Sequence, residues 1–292
     1  MTAASILVTG SEGFVGRRLV HALKSQGSSV IELDVKNRVD LTNWEQLQDH
    51  LKNVTTVDVI IHLAAVVFIP FSFENPRLTY TTNILGTAHM LELARLKHAK
   101  RFVFASSYVY GPPQYLPVDE KHPVKAVSPY HRSKIIGEQL CQEYHENYGL
   151  SCIILRPFNI YGSGQNKKFL IPQIIDQLPS KKIVLQDPNP KRDYVYIDDV
   201  ISAYVKTTIY EGTGYDIFNI GSGQSFSVRE IVDKVLAVSH AKDVTVRFTH
   251  HKREHEIMDI VADIRKAKDQ LKWQPTIDIN KGLSLTLKEV KK

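Results

Sequence analysis

The sequence predicts an α/β fold, built on a doubly wound parallel sheet and completed by a smaller mixed α/β part. Three observations carry this. Short apolar runs alternate with helical patterns through the first half of the chain. A glycine-rich turn joins the first run to the first helix. Near Arg156 the character changes, and beyond it Pro and Gly are frequent and strands are short and scattered. Strands apolar along their whole length fit a sheet covered by helices on both faces, wound by right-handed crossovers.

The elements follow in order. Ser5–Thr9 is the first strand. Val15–Ser25 is a helix with Val15, Leu19, Ala22 and Leu23 on one face. Ser29–Leu33 is a strand, Trp44–Lys52 a helix and Val57–Leu63 a buried strand. Thr87–Lys97 is a helix and Arg101–Ala105 a strand. Pro129–Tyr148 is a long helix with Ser128 as its cap and Pro129 in its first turn. Ser151–Leu155 is the last strand of this half. The boundary is set at 156/157, giving a sheet domain over 1–156 and a second part over 157–292. Within the latter, 197–210 reads as a helix packing back on the first domain. In such sheets the ligand crevice lies at the carboxyl ends of the strands.

Bulk properties exclude other classes. Of 292 residues, 43% are hydrophobic and 23% charged, so disorder and collagen-like structure are ruled out. The net charge of +6 is spread without a block of like charges, so no nucleic-acid partner is expected. A small anionic ligand suits that balance. No run of eighteen apolar residues occurs, and Met1–Ser5 lacks a basic region followed by an apolar core. Neither a membrane span nor a signal peptide is therefore expected. The two cysteines, Cys141 and Cys152, are too few for a disulfide framework, and a cytoplasmic location fits. No metal is expected either, since the stretch from His250 to His255 lacks supporting carboxylate or cysteine spacing.

Thr9-Gly10-Ser-Glu-Gly13-Phe14-Val15-Gly16 lies between the first strand and the first helix. Glycine allows a tight turn and close approach to a pyrophosphate, and the helix start presents free N–H groups. The spacing is GxxGxxG, an approximate match to the Rossmann-type dinucleotide turn. Asp34 ends the second strand, where a carboxylate accepts hydrogen bonds from ribose hydroxyls and repels a 2′-phosphate. That favours NAD over NADP, although Lys36 and Arg38 lie close by.

Ser106 and Ser107 follow the fourth strand, and Tyr130 and Lys134 stand one turn apart on the long helix. A tyrosine ionises near pH 10 in water, and a neighbouring ammonium favours the phenolate. Such a tyrosine can take a proton from a sugar hydroxyl. A strand-end serine can hold the substrate oxygen.

Together these residues resemble the extended short-chain dehydrogenase/reductase family, the nucleotide-sugar epimerases and dehydratases typified by UDP-glucose 4-epimerase. Further segments in family order are His62-Leu63-Ala64-Ala65, Asn83-Ile-Leu-Gly86-Thr87, Arg156-Pro157-Phe158-Asn159-Ile-Tyr161-Gly162, Arg192–Asp199 and Phe218-Asn-Ile-Gly221. The resemblance covers almost the whole chain. It implies NAD as cofactor and a nucleoside-diphosphate sugar as substrate. It implies that Gly10, Gly13, Phe14, Val15 and Gly16 meet the pyrophosphate. Asp34 would hold the ribose, with Asp40 and Leu41 flanking the adenine. Leu63, Ala64, Ala65 and Asn83 would line the dinucleotide, and Pro157 and Phe158 would sit beside the nicotinamide. Tyr130 and Lys134 serve both catalysis and cofactor. Ser107, Asn159, Arg192 and Arg253 are the substrate-binding candidates.

Counting back from Val109-Tyr110-Gly111 favours Ser106 as the catalytic serine, with Ser107 the alternative. Tyr108 stands where a 4,6-dehydratase carries an acid, so elimination of water is disfavoured. What remains is epimerisation at C4, or reduction of a 4-keto-6-deoxy sugar with external NAD(P)H. A dinucleotide-sensing protein without activity is a third reading, opposed by the presence of Tyr130 and Lys134. The helices at 78–97 and 129–148 resemble those that pair across a homodimer in the family.

Overall fold

The computed structural model describes residues 4–251 and 256–290. The chain runs β1 (Ser5–Thr9), α1 (Phe14–Ser25), β2 (Ser29–Leu33), α2 (Trp44–His50) and β3 (Val59–His62). Two short helices follow, α3 (Ile69–Glu74) and α4 (Pro76–Tyr80). A π-helical turn, Thr81–Leu85, leads into α5 (Gly86–Leu96). Next come β4 (Arg101–Ala105), α6 (Pro129–Tyr148), β5 (Ser151–Pro157) and β6 (Asn159–Tyr161). The remainder is α7 (Leu170–Gln177), β7 (Lys182–Leu185), β8 (Lys191–Tyr196), α8 (Ile197–Thr208), β9 (Tyr215–Ile220), β10 (Ser225–Ser227) and α9 (Val228–Ser239), then β11 (Thr245–Phe248), α10 (Arg265–Asp269) and α11 (Ile279–Val290).

The main sheet has the order β2-β1-β3-β4-β5-β9, and every pairing in it is parallel. This is the expected doubly wound sheet. Strand side chains alternate between faces, and here both faces are dry. Ile6, Val8, Ile61, Val103, Ile153 and Leu155 pack on the side that includes Leu19 of α1 and Val200 of α8. Leu7, Ile60, Phe102, Phe104, Cys152 and Ile154 pack on the side that includes Leu91 of α5 and Cys141 of α6. Burial on both sides explains why the strands read as uninterrupted apolar runs.

Two features lie beyond residue 156 yet belong to this sheet. The helix α8 packs against α1. The strand β9 was not foreseen: it returns to pair with β5 along its whole length. The rest forms a three-stranded sheet, β10-β8-β6, and a parallel pair, β11-β7, with α7, α9 and α11 against them.

The sheet order places a switch point between β1 and β3. From β1 the chain proceeds outward to β2, then crosses back to β3 on the other side. That is where a crevice opens at the carboxyl ends of the strands.

Candidate active site

The glycine loop sits at this switch point. Gly10 has φ of +68°, and a Cβ there would lie 2.8 Å from the Ala64 nitrogen. A Cβ on Gly16 would lie 2.0 Å from the Gly10 carbonyl oxygen. Both positions therefore exclude a side chain. Helix α1 starts at Phe14 with Gly13 as its cap, no capping side chain and no acidic residue in its first turn. Its leading N–H groups and positive dipole end are available to an anion. Beside them the Ser11 hydroxyl is buried without a hydrogen-bond partner. These residues fit a dinucleotide pyrophosphate.

Asp34 projects from the end of β2. Its carboxylate accepts from the Glu12 N–H (3.0 Å) and the Lys36 N–H (2.9 Å), tying the glycine loop to the next turn. Asp40 is exposed and its carboxylate holds the backbone and hydroxyl of Thr42, at 2.9 and 2.8 Å. Leu41 is buried in the core, and its carbonyl accepts from His89.

A relay of hydrogen bonds fixes the β3 exit. The Ala64 N–H donates to the Thr9 hydroxyl (3.2 Å), which lies 2.7 Å from His62 Nδ1. His62 Nε2 lies 3.1 Å from the Thr87 hydroxyl, which donates to the Asn83 carbonyl (2.6 Å). Because Thr87 donates onward, His62 Nε2 carries the proton given to it. Burial, with the Lys134 charge adding to it, lowers His62 to about 3. Leu63 and Ala65 border the same exit, half-buried. Asn83 sits in the π-helical turn, and its amide brackets Val66 (2.7 and 3.0 Å) and reaches the Ser133 hydroxyl (2.9 Å). A π turn inside a helix commonly marks a functional site.

Helix α6 brings Tyr130 and Lys134 to the β4 exit, as its capping by Ser128 and first-turn Pro129 led one to expect. Lys134 is buried, donates to the Ala105 carbonyl (2.7 Å), and lies 5.9 Å from the Tyr130 ring centre. Burial lowers Lys134 to about 8. Burial likewise pushes Tyr130 up to about 12, and the Ser107 side chain is the polar neighbour that opposes this. The expected lowering of Tyr130 by Lys134 alone is thus not what the geometry gives.

The serines divide differently from the expectation. Ser106 points away from Tyr130: its hydroxyl donates to Glu138 Oε1 at 2.5 Å. Ser107 is the serine that faces Tyr130. The preference for Ser106 came from counting along the chain. Adjacent residues at a strand end face opposite sides, and the count does not say which side is the crevice.

Pro157 and Phe158, at the end of β5, are buried. Tyr108 stacks on Phe158, with ring centres 5.4 Å apart, and its hydroxyl reaches Asn159 Oδ1 at 3.4 Å. Asn159 also donates to the Asp193 carbonyl (3.2 Å). Arg192 is mostly enclosed, ion-paired with Glu256 and bonded to the Ile257 carbonyl. Arg253 lies outside the described residues.

Sequence reading missed a buried ion pair. Glu138, one turn beyond Lys134 on α6, receives Arg156 at 2.9 and 2.5 Å. Arg156 Nη1 donates to the Tyr110 hydroxyl (3.1 Å), and Tyr110 donates to Asn219 (2.5 Å). The spacing of Tyr130, Lys134 and Glu138, four residues apart on one helix face, was the available signal.

Comparison with known proteins agrees with this layout. A model of the NAD-dependent epimerase/dehydratase family matches residues 6–221. A putative UDP-glucose 4-epimerase of Methanocaldococcus jannaschii is 36% identical, over 95% of each chain. A GDP-6-deoxy-D-mannose reductase of Pseudomonas aeruginosa is 29% identical, over 97% of this chain and 96% of that one. Among solved structures, the UDP-glucose 4-epimerase of Thermotoga maritima with UDP-glucose superposes with a TM-score of 0.92 at 25% identity, over 98% of both chains. That of Thermus thermophilus with NAD gives 0.89 at 25% identity, over 98% of this chain and 99% of the other. The chain, with its glycine loop at the switch point of a parallel sheet, belongs to the NAD-dependent epimerase/dehydratase family.

Proposed function

We propose that the protein epimerises a nucleoside-diphosphate sugar at C4 through a transient 4-keto sugar. The observation that carries this is the meeting of Ser107, Tyr130 and Lys134 at the β4 exit, in a fold whose relatives include UDP-glucose 4-epimerases. Tyr130 takes the hydroxyl proton and later returns it. Ser107 replaces Ser106 in the proposal, as the hydroxyl that orients the reacting oxygen. Lys134, held by the Ala105 carbonyl, stabilises the tyrosinate and reaches the nicotinamide ribose. NAD supplies the reversible hydride acceptor and, in its oxidised form, a positive ring charge that favours the tyrosinate.

Cofactor contacts are assigned to the Gly10–Gly16 turn, Asp34, the backbone at Asp40 and Leu41, Leu63 to Ala65, Asn83, Pro157 and Phe158. Asn159 and Arg192 are assigned to the diphosphate, which requires Arg192 to exchange Glu256 for phosphate oxygens. Residues 157–292 supply most of the substrate contacts. Leu78, Leu85, Leu96 and Tyr148 are exposed along the α4–α6 face, which supports pairing of two copies there.

A second reading, reduction of a nucleotide-linked 4-keto-6-deoxy sugar, is favoured by the similarity to the GDP-6-deoxy-D-mannose reductase. One experiment separates the two. Purified protein is incubated with UDP-, GDP-, dTDP- and CDP-sugars, with and without NAD(P)H. Epimerisation gives a C4 epimer without net cofactor consumption. Turnover only with stoichiometric loss of NAD(P)H overturns that reading in favour of the reductase.

A further inference from the structure

We propose that Glu138 is a positioning residue of this site: paired with Arg156, it holds the Ser106 hydroxyl and so locks the β4 exit, where the Ala105 carbonyl binds Lys134 and Ser107 meets Tyr130. The assignment of a chemical role to Lys134 rests on the function proposed above; the physical claim about Glu138 does not.

The geometry is a closed set of contacts. The Glu138 side chain is 6% exposed and that of Arg156 4%. Glu138 Oε1 receives both the Ser106 hydroxyl and Arg156 Nε, while Oε2 receives Arg156 Nη2. Ser106 is also pinned by its own N–H, which donates to the Leu155 carbonyl (2.8 Å). On one side of it lies the Ala105 carbonyl that holds Lys134, and on the other Ser107, which faces Tyr130. A shift of Ser106 therefore moves both partners of the tyrosine. The far end of Arg156 is anchored through Tyr110 to Asn219, whose amide also reaches the Val118 carbonyl (3.0 Å).

The electrostatics point the same way. Lys134 is enclosed by Tyr130, Glu138 and Cys141 of its own helix, by His62 of β3, and by the Phe104 ring of β4 at 4.9 Å. Arg156, the nearby cation, bonds Glu138 and Tyr110. His62 is neutral, and the thiol of Cys141 is pushed up by burial and by Cys152. That leaves Glu138 as the anion that offsets the desolvation of Lys134. For Arg156, burial acts to lower its ionisation, yet the hydrogen bonds and charge of Glu138 more than reverse this. The carboxylate thus serves two cations. A pair needed only for packing would sit as well with its charge facing Arg156 alone.

The test needs no sugar substrate. Protein labelled with 13C at lysine Cε is titrated by NMR, and the Lys134 resonance is assigned by its loss in Lys134→Met. In Glu138→Gln, which keeps the side-chain shape, the Lys134 midpoint is expected to fall by about one pH unit or more. The double variant Glu138→Gln/Arg156→Leu removes the stranded guanidinium and is expected to show the same direction of shift. Tyr110→Phe loosens the far end of the pair without changing charge; it is expected to lower the melting temperature and leave the midpoint in place. An unmoved Lys134 midpoint in either folded Glu138 variant overturns the proposal. So does an equal shift in Tyr110→Phe, which would mark general loosening. These results stand whether or not the protein turns over a nucleotide sugar.

Discussion

Replacing Ser106 and Ser107 one at a time by alanine separates a hydroxyl that supports the site from one that works in it. Ser106 is 3% exposed and gives a 2.5 Å hydrogen bond to a buried carboxylate. Bonds to charged groups contribute about 1.5–3 kcal/mol. Glu138 keeps both Arg156 contacts after the change, so a loss near the middle, about 2 kcal/mol, is expected. In a chain of this size that lowers the melting temperature by roughly 4 °C. Turnover of the sugar identified in the substrate panel is expected to fall on the order of 10-fold, because the freed β4 exit carries the Ala105 carbonyl and Ser107 with it, while Tyr130 keeps its own hydroxyl partner. Ser107 shows the opposite balance. Ser107 is also buried, but its partner is the neutral Tyr130 hydroxyl, so its loss is expected to cost about 1 kcal/mol, less than that of Ser106. Without the hydroxyl beside Tyr130, kcat is expected to drop on the order of 10²-fold, the effect of deleting one donor to a reacting oxygen. Thermal melts and steady-state kinetics on both variants read these outcomes. If Ser106→Ala loses turnover 10²-fold at an unchanged melting temperature, or Ser107→Ala keeps its kcat, the assignment drawn from side-chain direction is wrong.

Other expectations follow from the same contacts. Gly16→Ala places a Cβ 2.0 Å from the Gly10 carbonyl, so backbone must shift; the purified variant is expected to lose its bound NAD, read from the cofactor released on denaturation. Asp193 is buried, and its carboxylate accepts from the N–H groups of Ser222, Gly223 and Ala262 at 2.6, 3.0 and 3.1 Å. Asp193→Ala leaves these donors orphaned, and urea unfolding should register a loss of at least about 3 kcal/mol. His62 and His131 are buried and neutral, lowered by burial from 6.5 to about 3 and about 4. The unfolded chain binds their protons first as pH falls. Each should therefore remove about 1.4 kcal/mol of stability per pH unit below 6.5, down to those values. Urea midpoints between pH 7 and 4 check this, and His131→Asn should flatten the slope if it folds.

The fold was legible where apolar runs are continuous. Strands β1 to β5 lie within two residues of the boundaries read from the sequence, because burial on both faces leaves little room for polar residues. Strand β9 was not legible. In Tyr215-Asp-Ile-Phe-Asn-Ile220 the aspartate carboxylate accepts from Tyr210, and the asparagine serves Tyr110 and Val118, so the run looks like a surface segment. It also reaches β5 only after 57 intervening residues (158 to 214), which include β6, β7, β8 and α8. Local pattern carries no record of such a long-range pairing.

At the site, residue types were legible and side-chain directions were not. Ser106 and Ser107 differ by one step along an extended chain, and one step reverses the face. What decides between them is a third party. A buried carboxylate must be paired and fully hydrogen-bonded or it destabilises the fold. Glu138 lies on α6 two turns beyond Tyr130, below the reacting end of the helix. Arg156 satisfies one side of it, and the remaining lone pairs draw the nearest strand-end hydroxyl, that of Ser106. Ser107, the next residue along the chain, is then the one whose side chain meets Tyr130. On the proposed assignment, the choice of serine is set 32 residues away, at Glu138. The four-residue spacing Tyr130, Lys134, Glu138 contained that information, readable once an acid on the buried face of a helix is treated as a demand for partners.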